Sequence, residues 1–288
     1  MNGFKIIVLA KQVPDTRNVG KDAMKEDGTV NRAALPAIFN PEDLNALEQA
    51  LRIKDHHPGT QITVLTMGPG RAADIIREAL FRGADDGYLL TDRAFAGSDT
   101  LATSYALSRA IVKIGIPDLI ICGRQAIDGD TAQVGPQVAE KLNFPQVTYA
   151  EDIQIEGKQI LIKRRLERGV ETVKTGYPLL ITVNGSAPSC RPRNARLVMR
   201  YKKATTLTER QAANEDYLNI LRPYLNIEEI GFKDLDAAQE YCGLNGSPTK
   251  VKKIENVVFQ AKESRVMQAT DENLDLLMKE LIYNHTLG

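Results

Sequence analysis

The segment CGRQAIDGDTAQVGP (122–136) decides how the chain is read. It follows a short apolar run, DLIIC (118–122), and leads into VAEKLNFP, which has the pattern of a helix. Near-continuous apolar runs of this length are how strands buried on both faces look. Between the run and the helix stand two carboxylates, an arginine, glycines, a threonine and two glutamines. Such a polar, glycine-bearing loop between a buried strand and a helix is where an open α/β sheet binds ligands.

The same alternation extends outward. FKIIVLA (4–10), QITVLTM (61–67) and GYLLT (87–91) read as further buried strands. NPEDLNALEQALRIK (40–54) reads as a helix with Asn40 as N-cap, Pro41 at the first helical position and acids in the first turn. GPGRAADIIREALFRG (68–83) and SDTLATSYALSRAIVKIG (98–115) follow the second and third strands. Alternation to about residue 145 predicts an α/β fold, a Rossmann-like doubly wound, mostly parallel sheet with right-handed crossovers. Beyond it, turn signals at Glu156-Gly157 and Arg168-Gly169 predict an antiparallel hairpin addition, then one more buried strand, PLLITV. Residues 1–205 are expected to form the nucleotide-binding domain, and 206–288 an extended C-terminal arm ending in a helix capped by Asp271.

Composition narrows the function. The 288 residues carry 37 basic and 37 acidic side chains, so bulk charge gives no pull toward nucleic acid or anionic membrane. No apolar run approaches the roughly 20 residues that span a bilayer. Three isolated cysteines, Cys122, Cys190 and Cys242, show no metal spacing and suit a cytoplasmic, reduced protein. The histidines, His56, His57 and His285, offer no catalytic base. Neither GxGxxG nor GxxxxGK[ST] is present, so the ordinary dinucleotide fingerprint and the P-loop find no support.

Three loops are expected at the carboxyl ends of the strands: KQVPDT, MGPG and the 122–136 segment. Gly68-Pro69-Gly70 and Thr131 through Gly135 both precede helices, where free N–H groups favour phosphate. Arg124 could neutralise a phosphate, and Asp128 or Asp130 could hold ribose hydroxyls or an adenine amine. Structural roles account for some of these residues equally well: Asn40 as a cap, Asp99 and Thr100 as a helix start, Arg124 as a surface ion pair.

Five segments in order, AKQVPDT (10–16), NPEDLNALEQAL (40–51), MGPG (67–70), TDRAFAGSDTLATS (91–104) and GRQAIDGDTAQVGP (123–136), resemble the beta subunit of electron-transfer flavoprotein. GSPTKV (246–251) adds a match, and residues 4 to 205 carry most of the likeness. The resemblance implies a nucleotide held by Leu9, Asn40, Pro41, Asp43, Met67 and Gly68. It adds Asp99, Thr100 and Thr103, and then the run Gly123, Arg124, Gln125, Ala126, Ile127, Asp128, Gly129, Asp130, Thr131, Ala132, Gln133 and Val134. The loop and the AFAGSDTLATS segment look like the electron-bifurcating group, in which that nucleotide is FAD and the substrate is NADH; ordinary members hold structural AMP. Implied partners are an alpha subunit wrapped by the arm, a flavin-dependent dehydrogenase of the acyl-CoA or a similar class, and ferredoxin or flavodoxin. Nucleic acid and membrane insertion are not expected, and no catalytic acid–base residue is assigned. The basic stretch RPRNARLVMRYKKA (191–204) takes the position of a recognition loop, with Ala195 where the family's docking leucine is expected and Leu197 and Met199 nearby.

Overall fold

A computed structural model describes residues 3–15, 35–213, 222–249, 266–284 and 286. Thr16 of the first motif and Lys250 and Val251 of the last lie outside the described residues. Two compact units are present, Met1–Lys252 and Lys253–Gly288. The second contains a helix, Asp271–Tyr283. Its cap is Thr270, whose hydroxyl accepts from the Asn273 N–H; Asp271, expected as the cap, is instead the first helical residue.

In the first unit the strands are β1 (Lys5–Leu9), β2 (Gln12–Pro14), β3 (Ala37–Phe39), β4 (Gln61–Met67), β5 (Asp86–Leu90), β6 (Leu119–Gly123), β7 (Gln146–Glu156), β8 (Gln159–Leu166), β9 (Gly169–Thr175), β10 (Leu179–Val183), β11 (Thr205–Thr206) and β12 (Asn226–Ile230). The helices are α1 (Pro41–His56), α2 (Ala73–Leu80), α3 (Thr100–Ile114), α4 (Val134–Leu142), α5 (Ala195–Tyr201) and α6 (Leu207–Ala213). Ten strands form one sheet in the order β11-β12-β5-β4-β1-β6-β10-β7-β8-β9. The ladders from β11 to β7 are parallel, and β7-β8-β9 is the expected antiparallel addition. β2 and β3 pair separately as a small antiparallel ribbon. Strand β12 comes from the stretch read as an arm, and β11 straddles its expected start. They are too short and too acidic (NIEEI) to announce themselves by pattern.

Alternation along each strand divides the core in two. Ile6, Val8, Ile62, Val64, Leu119, Ile121, Leu179 and Ile181 face α1 and α2. Ile7, Leu9, Leu65, Ile120, Cys122 and Leu180 face α3 and α4. A period of two with both sets apolar is what a sheet covered on both faces requires. No helix among the described residues is long and apolar enough to cross a membrane.

The chain runs outward from β1 through β4 to β5, then returns to place β6 on the other side of β1. That reversal is the topological switch point, and it opens a crevice at the carboxyl ends of β1 and β6. Buried Asp43, in the first turn of α1, closes the bottom of the crevice. Its Oδ2 accepts from the Lys11 N–H at 2.9 Å, and its Oδ1 accepts from the Gly123 N–H at 2.9 Å. One carboxyl thus joins the ends of two strands to a helix. Gly123 is needed for this approach, since a Cβ there would stand 2.4 Å from Asp43 Oδ1 and 2.8 Å from its backbone nitrogen. Gly123→Ala is therefore expected to destabilise the fold by about 1–3 kcal/mol, read from the denaturant midpoint.

Burial pushes the Asp43 carboxyl up from 3.8 to about 7, against the opposing pull of the Lys11 N–H, the Asn40 side chain and the Gly123 N–H. The folded chain then holds a proton that the unfolded chain has already released. Stability from this group is present below about pH 4 and is lost as pH rises toward about 7. Urea titrations across that window should show the midpoint falling with rising pH, and Asp43→Asn should flatten this component. The variant keeps one acceptor but sets an NH2 against the other N–H, at a cost of about 1–3 kcal/mol.

Candidate functional site

Side chains from the first turn of α1 hold the loop that follows β6. Asn40 is fully buried. Its Nδ2 donates to the Gln125 carbonyl at 2.9 Å, and its Oδ1 accepts from the Ile127 N–H at 3.2 Å. It occupies the N-cap position, but its side chain makes no capping bond to α1. Its carbonyl accepts from the N–H groups of Asp43 and Leu44, so the turn forms while the amide is committed to the loop. Glu42 Oε2 accepts from the Gln125 N–H at 3.0 Å, and Oε1 accepts from Arg124 Nη2 at 3.0 Å. Together Asn40, Glu42 and Asp43 bind the backbone of residues 123, 125 and 127 in sequence.

The loop is also pinned from the segment after β1 and from within. Lys11 Nζ forms an ion pair with Asp128 at 2.7 Å, and Gln125 Nε2 donates to Asp130 Oδ1 at 2.9 Å. The N–H groups of Gly129 and Asp130 both donate to the Ala126 carbonyl, which forms a tight turn. Asp130 and Ala132 then sit at φ +50 and +52. For alanine that left-handed geometry costs roughly 1–2 kcal/mol, and strain of this kind gathers where a ligand is held.

The loop's far end meets the starts of α3 and α4. Thr100 Oγ1 donates to Gln133 Oε1 at 2.9 Å. α4 begins without a side-chain cap, so the N–H groups of Val134 and Gly135 in its first turn are open to an anion; Pro136, which follows, has none. Gly129 has nothing within 4 Å of where a Cβ would stand, which leaves the backbone open to close approach. Gln137 Oε1, beside the same helix starts, is buried without a hydrogen-bond partner among the described residues. Uncapped amides, an exposed glycine loop, two carboxylates and an unpartnered amide oxygen suit the phosphate and ribose of a nucleotide. The ADP half of a larger cofactor would fit them equally.

The remaining residues singled out in the sequence border this crevice. Leu9 ends β1 and is buried against the α3–α4 side. Met67 ends β4 and Gly68 follows it, with the Gly68 N–H donating to the Leu90 carbonyl. Asp99 is fully engaged: Oδ1 accepts from the N–H groups of Leu101 and Ala102, and Oδ2 accepts from that of Thr249. Burial pushes its carboxyl up, but the N–H groups of Ala102, Thr249 and Leu101 together hold it below the usual range. Ser247 Oγ accepts from the Asp99 N–H, so the late GSPT match lies against the start of α3. The Thr103 N–H donates to the Asp99 carbonyl in the same turn. Lys11 and Ser247 lie in the KQVPDT and GSPTKV segments but were given no site role from the sequence, and Gln137 was not picked out. Lys11 had a signal, its place just after a strand, whereas Gln137 and Ser247 acquire meaning only from packing.

The basic stretch 191–204 spends part of its charge inside the fold. Arg191 pairs with Glu48 and Asp55, and Arg193 with Glu78. Met199 remains 64% exposed on α5, whereas Leu197 is partly buried against the core.

Asn40→Ala should loosen the loop without unfolding the sheet. It removes one donor and one acceptor at a buried site, at about 1–3 kcal/mol. Hydrogen exchange of the Gln125–Asp130 amides should accelerate at least tenfold relative to the rest of β6 and α4, while Asn40→Asp, which keeps the acceptor for Ile127, should lie between.

Residues 27–212 match the model of the electron transfer flavoprotein domain. Among curated proteins, the chain is 45% identical over 249 residues to the caffeyl-CoA reductase-Etf complex subunit CarD of Acetobacterium woodii, covering 86% of each chain. It is 43% identical over 289 residues to the electron transfer flavoprotein subunit beta of Megasphaera elsdenii, covering 97% of this chain and 98% of that one. It is 42% identical to the acryloyl-CoA reductase electron transfer subunit gamma of Anaerotignum propionicum, covering 92% of this chain and all of the relative. A parallel sheet with its loops gathered at one switch point, matched along nearly its whole length by these subunits, places the chain in the electron transfer flavoprotein family, among its beta subunits.

Proposed function

We propose that this subunit binds FAD at the β1–β6 crevice and works in a bifurcating electron-transfer flavoprotein, taking electrons from NADH. The observation that carries this reading is the 123–134 loop: braced by α1, strained at Asp130 and Ala132, and opening onto the uncapped start of α4. When bound, the flavin supplies two-electron oxidation of NADH and onward transfer of single electrons. In that reading the acceptors would be a flavin of the alpha subunit, serving a dehydrogenase, and a low-potential protein such as ferredoxin or flavodoxin.

The chain's own residues bind and position. The N–H groups of Thr131 through Val134 and the dipole of α4 take the pyrophosphate. Asp128, Asp130 and the Gln137 carbonyl accept from ribose hydroxyls. Leu9 and Met67 give apolar contact beneath the adenine. Asn40, Glu42 and Asp43 act through the loop backbone, and Arg124 holds its place against Glu42. No acid–base residue is assigned in this scheme.

The names of two relatives link such subunits to caffeyl-CoA and acryloyl-CoA reductases. They support an alpha subunit and an acyl-CoA-type dehydrogenase as partners, with residues beyond 205 contributing to the alpha contact. The 191–203 segment, with Met199 exposed, is the surface offered to the dehydrogenase.

Acid release and chromatography of the co-purified complex test the reading. Two FAD per alpha–beta pair are expected. One FAD and one AMP would make the loop a clamp for a structural nucleotide and the protein a simple electron carrier. Asp128→Ala should lower occupancy of the beta-bound nucleotide several-fold and leave the alpha flavin in place; unchanged occupancy would remove Asp128 from the site.

A further inference from the structure

The segment after β12 follows α3 back toward the start of that helix. Asp236 pairs with Arg109 at 2.7 Å, and the Ala238 N–H donates to the Tyr105 hydroxyl at 2.9 Å. The Tyr241 ring meets that of Tyr105 edge to face, with centroids 5.4 Å apart. Cys242 is buried in the core on this side of the sheet. Beyond it the chain presses on the loop that precedes α3. Gly243 has φ +61, and a Cβ there would stand 2.3 Å from the Ala94 carbonyl oxygen. A Cβ on Gly97 would stand 3.3 Å from the Leu244 side chain. Glycine on both sides permits this close approach of two backbones.

Ser247, 3% exposed, fastens the segment there. Its Oγ accepts from the Asp99 N–H at 2.8 Å and donates to the Gly243 carbonyl at 2.7 Å, with the Gly97 carbonyl at 3.3 Å. Two residues on, the Thr249 N–H donates to Asp99 Oδ2 at 3.0 Å. Asp99 is thus held by its backbone through Ser247 and by its carboxylate through Thr249, while Oδ1 caps Leu101 and Ala102. Both carboxylate oxygens are committed to the protein's own amides, so Asp99 acts as a support. Its neighbour Thr100 donates to Gln133 Oε1, and Gln133 stands at the N-cap position of α4. Ser247, Asp99, Thr100 and Gln133 form one line from the late segment to the helix start that faces the nucleotide.

We propose that Ser247 is a positioning residue for the bound nucleotide: its hydroxyl sets Asp99, and through it Thr100 and Gln133, so that the start of α4 is placed for the phosphate. This rests on the nucleotide assigned above to the 123–134 loop and adds to it a residue outside that loop. Without the hydroxyl, the Asp99 N–H and the Gly243 carbonyl lose their shared partner, and the entry to α3 moves to find others. Thr100 moves with the first turn of α3, and its hold on Gln133 is lost. A binding site tolerates only about 0.5 Å of such displacement in the groups that support it.

The test uses the alpha–beta complex purified with its bound nucleotides and then dialysed. FAD and AMP remaining per pair are released by acid and counted by chromatography over time. Ser247→Ala should lose the beta-bound nucleotide faster by about fivefold or more, and hydrogen exchange of the Leu101 and Ala102 amides should quicken with it. Ser247→Thr, which keeps the hydroxyl, should retain the nucleotide as the unaltered complex does. Leu235→Ala removes a buried side chain on the same side of the sheet that makes none of these bonds. It should lower stability and leave retention unchanged. Should Ser247→Ala fail to fold, Thr249→Pro, which deletes the N–H received by Asp99, takes its place with the same expected direction. Retention unchanged by Ser247→Ala, equal loss from Leu235→Ala, or loss that Ser247→Thr does not slow overturns the positioning role and leaves the loop assignment standing. A complex that holds no nucleotide beyond the alpha flavin removes the loop site and this inference with it.

Discussion

Asp43 ties the two central strands to the helix that crosses them. Its carboxyl accepts from the N–H groups of Lys11, which follows β1, and Gly123, which ends β6, at the point where the sheet's winding reverses. A parallel sheet leaves its strand-end amides without ladder partners, and buried amides must be satisfied. Here one buried side chain satisfies two of them. Because both acceptors belong to one rigid group, the spacing of β1 and β6 and the entry of α1 are set together. The absence of a Cβ at Gly123 makes this possible.

The site inherits its shape from that clamp. With the start of α1 fixed, Glu42 and Asn40 reach the next amides and carbonyls along the chain after β6. The loop's path, including the left-handed turn at Asp130 and Ala132, is thereby imposed from below. Lys11, on the other side of the crevice, holds Asp128. A loop restrained at so many points needs little further ordering when a ligand arrives, which favours affinity. The same economy extends to α3. There Asp99 both caps the helix and receives the Thr249 N–H, so that a segment from far along the sequence completes the wall.

Much of this was legible in the sequence. The buried runs, the helix starts and the glycine loops follow from periodicity and turn chemistry, because a strand covered on both faces has no polar positions to spare. The loop after β6 announced itself because polar residues there have no role in a core. Asn40 looked like a cap, since asparagine before proline and two acids is the usual signature. Its side chain instead serves the loop, a choice that depends on a carbonyl 85 residues away. Arg124 looked like a phosphate ligand or an ion pair, and its partner Glu42 could not be named until α1 and β6 were adjacent. Strands β11 and β12 were missed because two to five residues, some of them charged, carry no periodic signal.

By itself the sequence determined which segments are buried, their order, the side of the sheet where polar loops gather, and the family to which those loops belong. These rest on local chemistry: apolar alternation, caps, glycines and the residues between. Tertiary structure alone decided which side chains meet. It made Asp43 a clamp rather than a first-turn acid, and it bent β7 so that Tyr149 faces Arg124. It also turned Asp99 from a simple cap into a seat for residues 247–249. Each of these depends on groups distant in sequence being brought within about 3 Å, and only packing the whole sheet supplies that proximity.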